Sequence, residues 1–192
     1  MPKSGTILEN PISGVRVKFN KTPQETGGLM VEHEIFFPPG KGREYPHVHK
    51  EGHETFEVIT GTANYQLNGV DKTAKAGETI DFPPGIPHMH PYNGGADELH
   101  VRQIIRFSTP HMRELTGIDT FFETMFGLAR DGKVSKDGMP SMLQIFVSFK
   151  DLAPELTMPG IPLPVQSVMM GIFGAIGGAM GVKARYPQYS DT

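Results

Sequence analysis

The chain has 192 residues, room for one domain of ordinary size and an appendage. Its 18 Lys and Arg stand against 21 Asp and Glu, a formal net charge of −3 with no charged block. That balance gives no electrostatic reason to expect nucleic acid, whose binders usually show a concentrated basic face. The absence of cysteine excludes disulfides and thiolate metal sites, so any metal must take nitrogen and oxygen ligands. No apolar stretch follows Lys3 in the first twenty residues, so a secretory leader is not expected and the expected compartment is the cytoplasm.

Glycine (23) and proline (17) are spread among short apolar runs, a composition of many turns and short strands. In chain order, strands are predicted over Gly14–Phe19, Met30–Phe37, Thr55–Thr60, Gly61–Asn68, Thr73–Ala74, Thr79–Phe82 and Glu98–Phe107. The period-2 pattern is clearest in Gly61–Asn68, where Ala63, Tyr65 and Leu67 share one face. Asn68-Gly69 follows, the dipeptide that most favours a tight hairpin because both residues tolerate positive φ. In Glu98–Phe107, Leu99, Val101, Ile105 and Phe107 lie on one face, interrupted by Gln103. Residues 1–107 therefore read as an all-β unit, an antiparallel sandwich or barrel.

From about Ser108 the period changes to helical. Phe121, Phe122, Met125, Phe126 and Ala129 recur after Asp119 or Thr120, either a candidate cap, and Asp131-Gly132 ends the run. Ser141–Phe149 reads as a second helix. Met158–Val182 contains no charged residue, and a helix over 164–182 would span about 28 Å, close to a bilayer's hydrocarbon thickness. Six glycines, Gln166, Ser167, Pro162 and Pro164 weaken the membrane reading, so a helix packed on the β unit or across a dimer interface is expected instead. Residues 108–192 are taken as a helical extension.

Five of the eight histidines fall in two short stretches, His47, His49 and His53, then His88 and His90. Residues two apart on a strand share a face with Cα atoms about 6.5–7 Å apart, which lets the imidazoles of His47 and His49 converge on one ion. If Glu54 points inward, so do Phe56 and Val58, and a lone carboxylate beside an apolar interior needs a partner such as a metal ion. Pro83-Pro84-Gly85-Ile86-Pro87 is a rigid lead-in that sets the angle of His88.

Around this set, His53 and His90 are expected to face away from the ion. His33 reads either as a site-facing histidine or as a core histidine with a satisfied hydrogen bond. An inward Gln103 needs a partner: a bound ligand, a metal-bound water or backbone. Tyr45, Phe56, Tyr65 and Phe82 are candidate pocket walls.

These residues carry a resemblance to the cupin superfamily. Its first motif is matched by Gly42, His47, His49, Glu54 and Gly61, with a spacer after Gly42 one residue shorter than usual. Its second is matched by Gly77, Pro83, Gly85 and His88; the closing asparagine, a turn residue in the family, falls on Tyr92 with Asn93 one position later. The resemblance implies a double-stranded β-helix, the cupin jelly-roll barrel, followed here by C-terminal α-helices. It implies that His47, His49, Glu54 and His88 hold one divalent transition metal ion: Fe, Mn, Ni, Co, Cu or Zn. In an octahedral arrangement two positions stay open for water, substrate or dioxygen. A small-molecule substrate, a quercetinase-like dioxygenase reaction with Glu54 as base, and a homodimer are further expectations. A non-redox isomerase, cyclase or lyase and a non-catalytic binding module are the alternatives.

Overall fold

The computed structural model describes residues 1–152 and 155–190. The strands are β1 (Ile7–Glu9), β2 (Arg16–Lys21), β3 (Met30–Phe37), β4 (Val48–His49), β5 (His53–Thr60), β6 (Thr62–Leu67), β7 (Val70–Lys75), β8 (Thr79–Phe82), β9 (His88–Asn93) and β10 (Leu99–Arg106). Helices α1 (Met112–Arg130) and α2 (Met142–Leu152) follow, then a short strand β11 (Leu156–Thr157), helix α3 (Leu163–Ala179) and a 3-10 turn at Pro187–Tyr189.

All strand pairs are antiparallel. Six strands form one sheet in the order β1-β2-β3-β10-β5-β8, three form a second as β7-β6-β9, and β11 pairs with β4. The architecture is a jelly-roll with three C-terminal helices. Among the described residues the pairing makes separate sheets and does not run continuously round a closed barrel. A lone bridge, His47 with His88, ties the segment before β4 to β9.

Alternation builds the core. Val31, Ile35 and Phe37 of β3, Leu99, Val101 and Ile105 of β10, and Phe56 and Val58 of β5 all turn inward and are buried. Each such side chain contributes about 1.5–3 kcal/mol by leaving water. Three polar residues share those inward positions: His33, Gln103 and Glu54, none more than 3% exposed. The Asn68-Gly69 turn joins β6 to β7 with φ of 51° and 77°, the positive values that dipeptide was expected to supply.

Helix α1 starts seven residues earlier than Asp119. It opens at Met112 behind Pro110, with His111 at the N-cap making no side-chain capping bond. Asp119 and Thr120 are both buried inside it and cap nothing: Asp119 reaches His33, and Thr120 Oγ1 donates back to the Thr116 carbonyl. The apolar stripe continues upstream through Leu115, which is fully buried against Val31, Ile105 and Phe107. The predicted stop holds, with Gly132 at φ +69°. Downstream, Met125 and Phe126 join the main core, and Phe122 stands edge-on to Phe19 and His33.

Helix α2 packs on α1 closely enough that a Cβ at Gly117 would overlap the Leu152 carbonyl. Helix α3 packs on α2, with Phe173 stacked on Phe146 and Gly177 against Val147. Val168, Ile172, Ile176 and Met180 remain exposed. No helix among the described residues is long and apolar enough to cross a membrane.

Candidate metal centre

The elements converge on one buried point. His47 precedes β4, His49 ends it, Glu54 lies on β5, and His88 and His90 lie on β9. One donor atom from each of these five lies within 4.8 Å of every other. His47, His49, Glu54 and His88 are 7%, 3%, 0% and 1% exposed.

The ring orientations are set from behind. The Nδ1–H of His47 donates to the Tyr45 carbonyl at 3.1 Å, and that of His88 to the Ile86 carbonyl at 2.8 Å. His49 Nδ1 lies 2.5 Å from Glu155 Oε1. With a hydrogen committed on each Nδ1, all three rings present the Nε2 lone pair inward, the tautomer a metal ligand needs. Phe82 stacks on His88 with centroids 4.3 Å apart, and the Gly85 amide donates to the His49 carbonyl at 2.7 Å. The proline-rich turn therefore fastens the second motif to the first.

Two of these inward nitrogens, His49 Nε2 and His88 Nε2, are buried without a hydrogen-bond partner. They sit 3.6 and 3.4 Å from Glu54 Oε2, beyond hydrogen-bond optima yet aimed at it. Buried polar atoms are rarely left unpaired. A cation bonded to several of them at once would satisfy this geometry, and imidazole with carboxylate suits a divalent transition ion. The residues present fit such an ion.

The charges agree. Burial first, then the neighbouring imidazoles, hold His47 well below its ordinary pKa, so it is neutral. Burial works to raise the Glu54 carboxyl, but His90, His88 and His49 around it outweigh that and hold it well below its usual range. Both shifts favour the protonation states that bind metal, a neutral imidazole at His47 and a carboxylate at Glu54.

Strand β9 corrects one expectation. His90 does not face away: two residues from His88, it shares that residue's face and joins the cluster, by the same spacing rule that groups His47 with His49. Its Nε2 lies 2.7 Å from Glu54 Oε2 and 3.0 Å from His47 Nε2, and its Nδ1 3.1 Å from Glu44 Oε2. Since His47 offers only a lone pair there, His90 Nε2–H is the donor. Burial lowers its pKa, but the carboxylates of Glu54 and Glu44 overcome that and push it up to about 10.

A folded-state pKa raised above the ordinary 6.5 means that charged His90 stabilises the metal-free fold fully below that pH. The contribution drains away as pH rises through about 10. In chemical denaturation of the metal-free chain between pH 6.5 and 10, the stability of His90→Gln is expected to fall less steeply than that of the natural sequence. Parallel slopes would contradict the pairing.

The remaining predicted residues divide. His53 is half-exposed and bonded to Asp81, outside the cluster as expected. Tyr45 is not a pocket wall: its side chain is 64% exposed, and only its carbonyl serves the site. Phe56, 1% exposed, packs against Phe82 and beside the His90 ring, so it is core first. Gln103 and His33 meet each other instead of a pocket. Gln103 Nε2 donates to Glu54 Oε1 at 2.6 Å, its Oε1 accepts from His33 Nδ1–H at 3.2 Å, and His33 Nε2 shares a proton with Asp119 Oδ1 at 2.9 Å. Asn93, one position late, performs the motif's turn role: its Nδ2 donates to the Phe37 and Asp97 carbonyls and its Oδ1 accepts from the Gly95 amide.

A family model described as a cupin domain matches residues 33–105. No curated protein matches the chain. Among solved structures, it is similar to a predicted oxalate decarboxylase from Thermotoga maritima at 21% identity, covering 48% of this chain and 80% of that one with a TM-score of 0.45. It is similar to a Klebsiella pneumoniae protein with a double-stranded β-helix domain at 23% identity, 57% and 84% coverage and a TM-score of 0.42. It is also similar to KdgF from a Halomonas species, at 17% identity, 48% and 79% coverage and a TM-score of 0.40. Both motifs and the buried cluster they form fall inside residues 33–105, the segment that matches the cupin domain.

Proposed function

We propose that this cupin is a metal-dependent enzyme acting on a small organic molecule, with His47, His49, Glu54 and His88 as the ligands of one divalent ion. The observation that carries the reading is the pair of buried, partnerless nitrogens, His49 Nε2 and His88 Nε2, aimed at the Glu54 carboxylate. Bound there, the ion would supply Lewis-acid polarisation or, if redox-active, the chemistry of a dioxygenase. The chain's own part is to orient and to move protons. Glu54, anchored through Oε1 by Gln103, keeps Oε2 directed at the imidazoles. His90 holds a proton on Nε2 between Glu54 and His47 and is backed by Glu44, the placement of a general acid. Phe82 and Phe56 pack beside these rings and keep water from them.

The proton held on His90 favours a second reading, a non-redox isomerisation, cyclisation or elimination. One experiment separates the two. The chain is loaded with Fe²⁺ or with Zn²⁺ and given a panel of aromatic and keto-acid compounds with and without oxygen. Substrate-dependent oxygen uptake with iron alone supports the dioxygenase. Turnover with zinc in the absence of oxygen supports the non-redox enzyme, and metal-loaded protein inert under every condition counts against both.

A further inference from the structure

Residues 155–157 lie beyond the cupin match, yet they reach back to its metal centre. Leu156 and Thr157 pair with His49 and Val48, adding a strand to the His-x-His segment. Just before that pair, Glu155 turns its carboxylate onto His49 Nδ1 at 2.5 Å. The opposite oxygen accepts the backbone amides of Glu51 at 3.1 Å and Gly52 at 3.4 Å, and the Glu155 carbonyl accepts that of Lys50 at 3.3 Å. The loop between the two first-motif strands is thus wrapped round one carboxylate whose side chain is 11% exposed. Glycine at position 52 is what admits it: a Cβ there would lie 2.9 Å from Glu155 Oε1 and 3.1 Å from Phe107 Cζ.

We propose that Glu155 is a positioning residue of the metal centre, and that the helical extension exists in part to deliver it. A carboxylate behind a ligating histidine locks the Nδ1–H tautomer, fixes the ring plane and makes the opposite nitrogen a better donor. His47 and His88 have backbone carbonyls in that place. His49 alone of the three is held by a charged side chain, and that side chain comes from 106 residues further along the chain. Helix α1 packs on the end of α2, with Gly117 against the Leu152 carbonyl, three residues before Glu155 in the chain.

The inference rests on the proposed metal site, so its test has one arm that needs no metal. In the metal-free chain, ¹⁵N–¹H correlation spectra of the histidine rings should place the His49 proton on Nδ1. In Glu155→Ala the ring should shift towards a mixture of tautomers. In the second arm, Zn²⁺ affinity is measured by competition with a chromophoric chelator. Glu155→Gln, which keeps an acceptor of the same shape, should weaken binding by about 10-fold, and Glu155→Ala by about 100-fold. Gly52→Ala, which crowds the carboxylate without removing it, should fall between the natural chain and Glu155→Ala. A purely structural Glu155 would lower the melting temperature of the metal-free chain while leaving both the tautomer and the Zn²⁺ affinity as they were, and that result overturns the proposal. If the natural chain itself binds no Zn²⁺, the metal reading fails, and the ring spectra still decide whether Glu155 governs His49.

Discussion

Replacing Glu54 with glutamine is expected to lower the affinity of this chain for a divalent ion by about two to four orders of magnitude. Glu54 is fully buried, and each of His49, His88 and His90 has a ring nitrogen within 3.6 Å of its Oε2. Glutamine keeps the size and one carbonyl oxygen but removes the negative charge. Breaking a buried charge pair by removing one partner costs about 3–5 kcal/mol, and each 1.36 kcal/mol is tenfold in an equilibrium constant. The metal-free protein should respond at the same site, because His90 loses the neighbour that holds its proton. Its pKa should drop back towards the ordinary range, visible in the titration of its ring signals. His53→Ala is the internal control, since His53 binds Asp81 at the surface and should leave affinity unchanged. Glu54→Gln protein that binds Zn²⁺ as tightly as the natural chain would remove the carboxylate from the ligand set.

The residues that make this prediction were legible in the sequence because their information is local. Two histidines at spacing two, a glutamate at the start of an alternating strand and a proline-rich turn before a histidine each dictate a direction without reference to the rest of the chain. The strands were legible for the same reason: β3, β5, β6, β8 and β10 fall within two residues of the predicted runs. His90 was equally local, and the rule that grouped His47 with His49 groups it with His88.

What supports the site was not legible, because it depends on contacts between distant segments. Nothing near Glu155 marks it as the partner of a histidine 106 residues away. Strand β11 has only two residues, too few for a periodic pattern, and exists because β4 offers it an edge. Asp119 resembled a helix cap by residue type. Tertiary structure put it in mid-helix instead, where its carboxylate is needed by His33. His33 and Gln103 were read as candidate pocket residues since an inward polar side chain in a β unit often meets a ligand. Here each is the other's partner.

That chain of contacts carries the second large effect. From Asp119 through His33 and Gln103 to Glu54, four buried side chains are joined by bonds of 2.9, 3.2 and 2.6 Å, linking α1 to the Glu54 carboxylate. The polarity of the chain is forced. Because the ionised Glu54 can only accept, Gln103 must turn its NH₂ to Oε1 and its own Oε1 to His33, which calls for a hydrogen on His33 Nδ1. Gln103→Leu removes the middle link and leaves His33 Nδ1–H and Glu54 Oε1 buried without partners, at about 1–3 kcal/mol each. The metal-free chain should therefore lose about 2–6 kcal/mol in chemical denaturation, a large share of the stability of an ordinary domain. Burial pushes the Asp119 carboxyl up while His33 pulls it down, so severing that contact leaves a buried carboxyl with its burial penalty less opposed. A double-mutant cycle between His33→Gln and Asp119→Asn should give a coupling of about 0.5–3 kcal/mol, as for residues in one hydrogen-bond network. Gln103→Leu should also weaken Zn²⁺ binding, since Glu54 is then free to rotate away from the imidazoles. Gln103→Glu should destabilise the metal-free chain, by setting two buried carboxyls side by side where only one can ionise. Strictly additive effects of His33→Gln and Asp119→Asn, together with unchanged Zn²⁺ affinity in Gln103→Leu, would mean that the four residues fill space independently and that α1 has no hold on the metal centre.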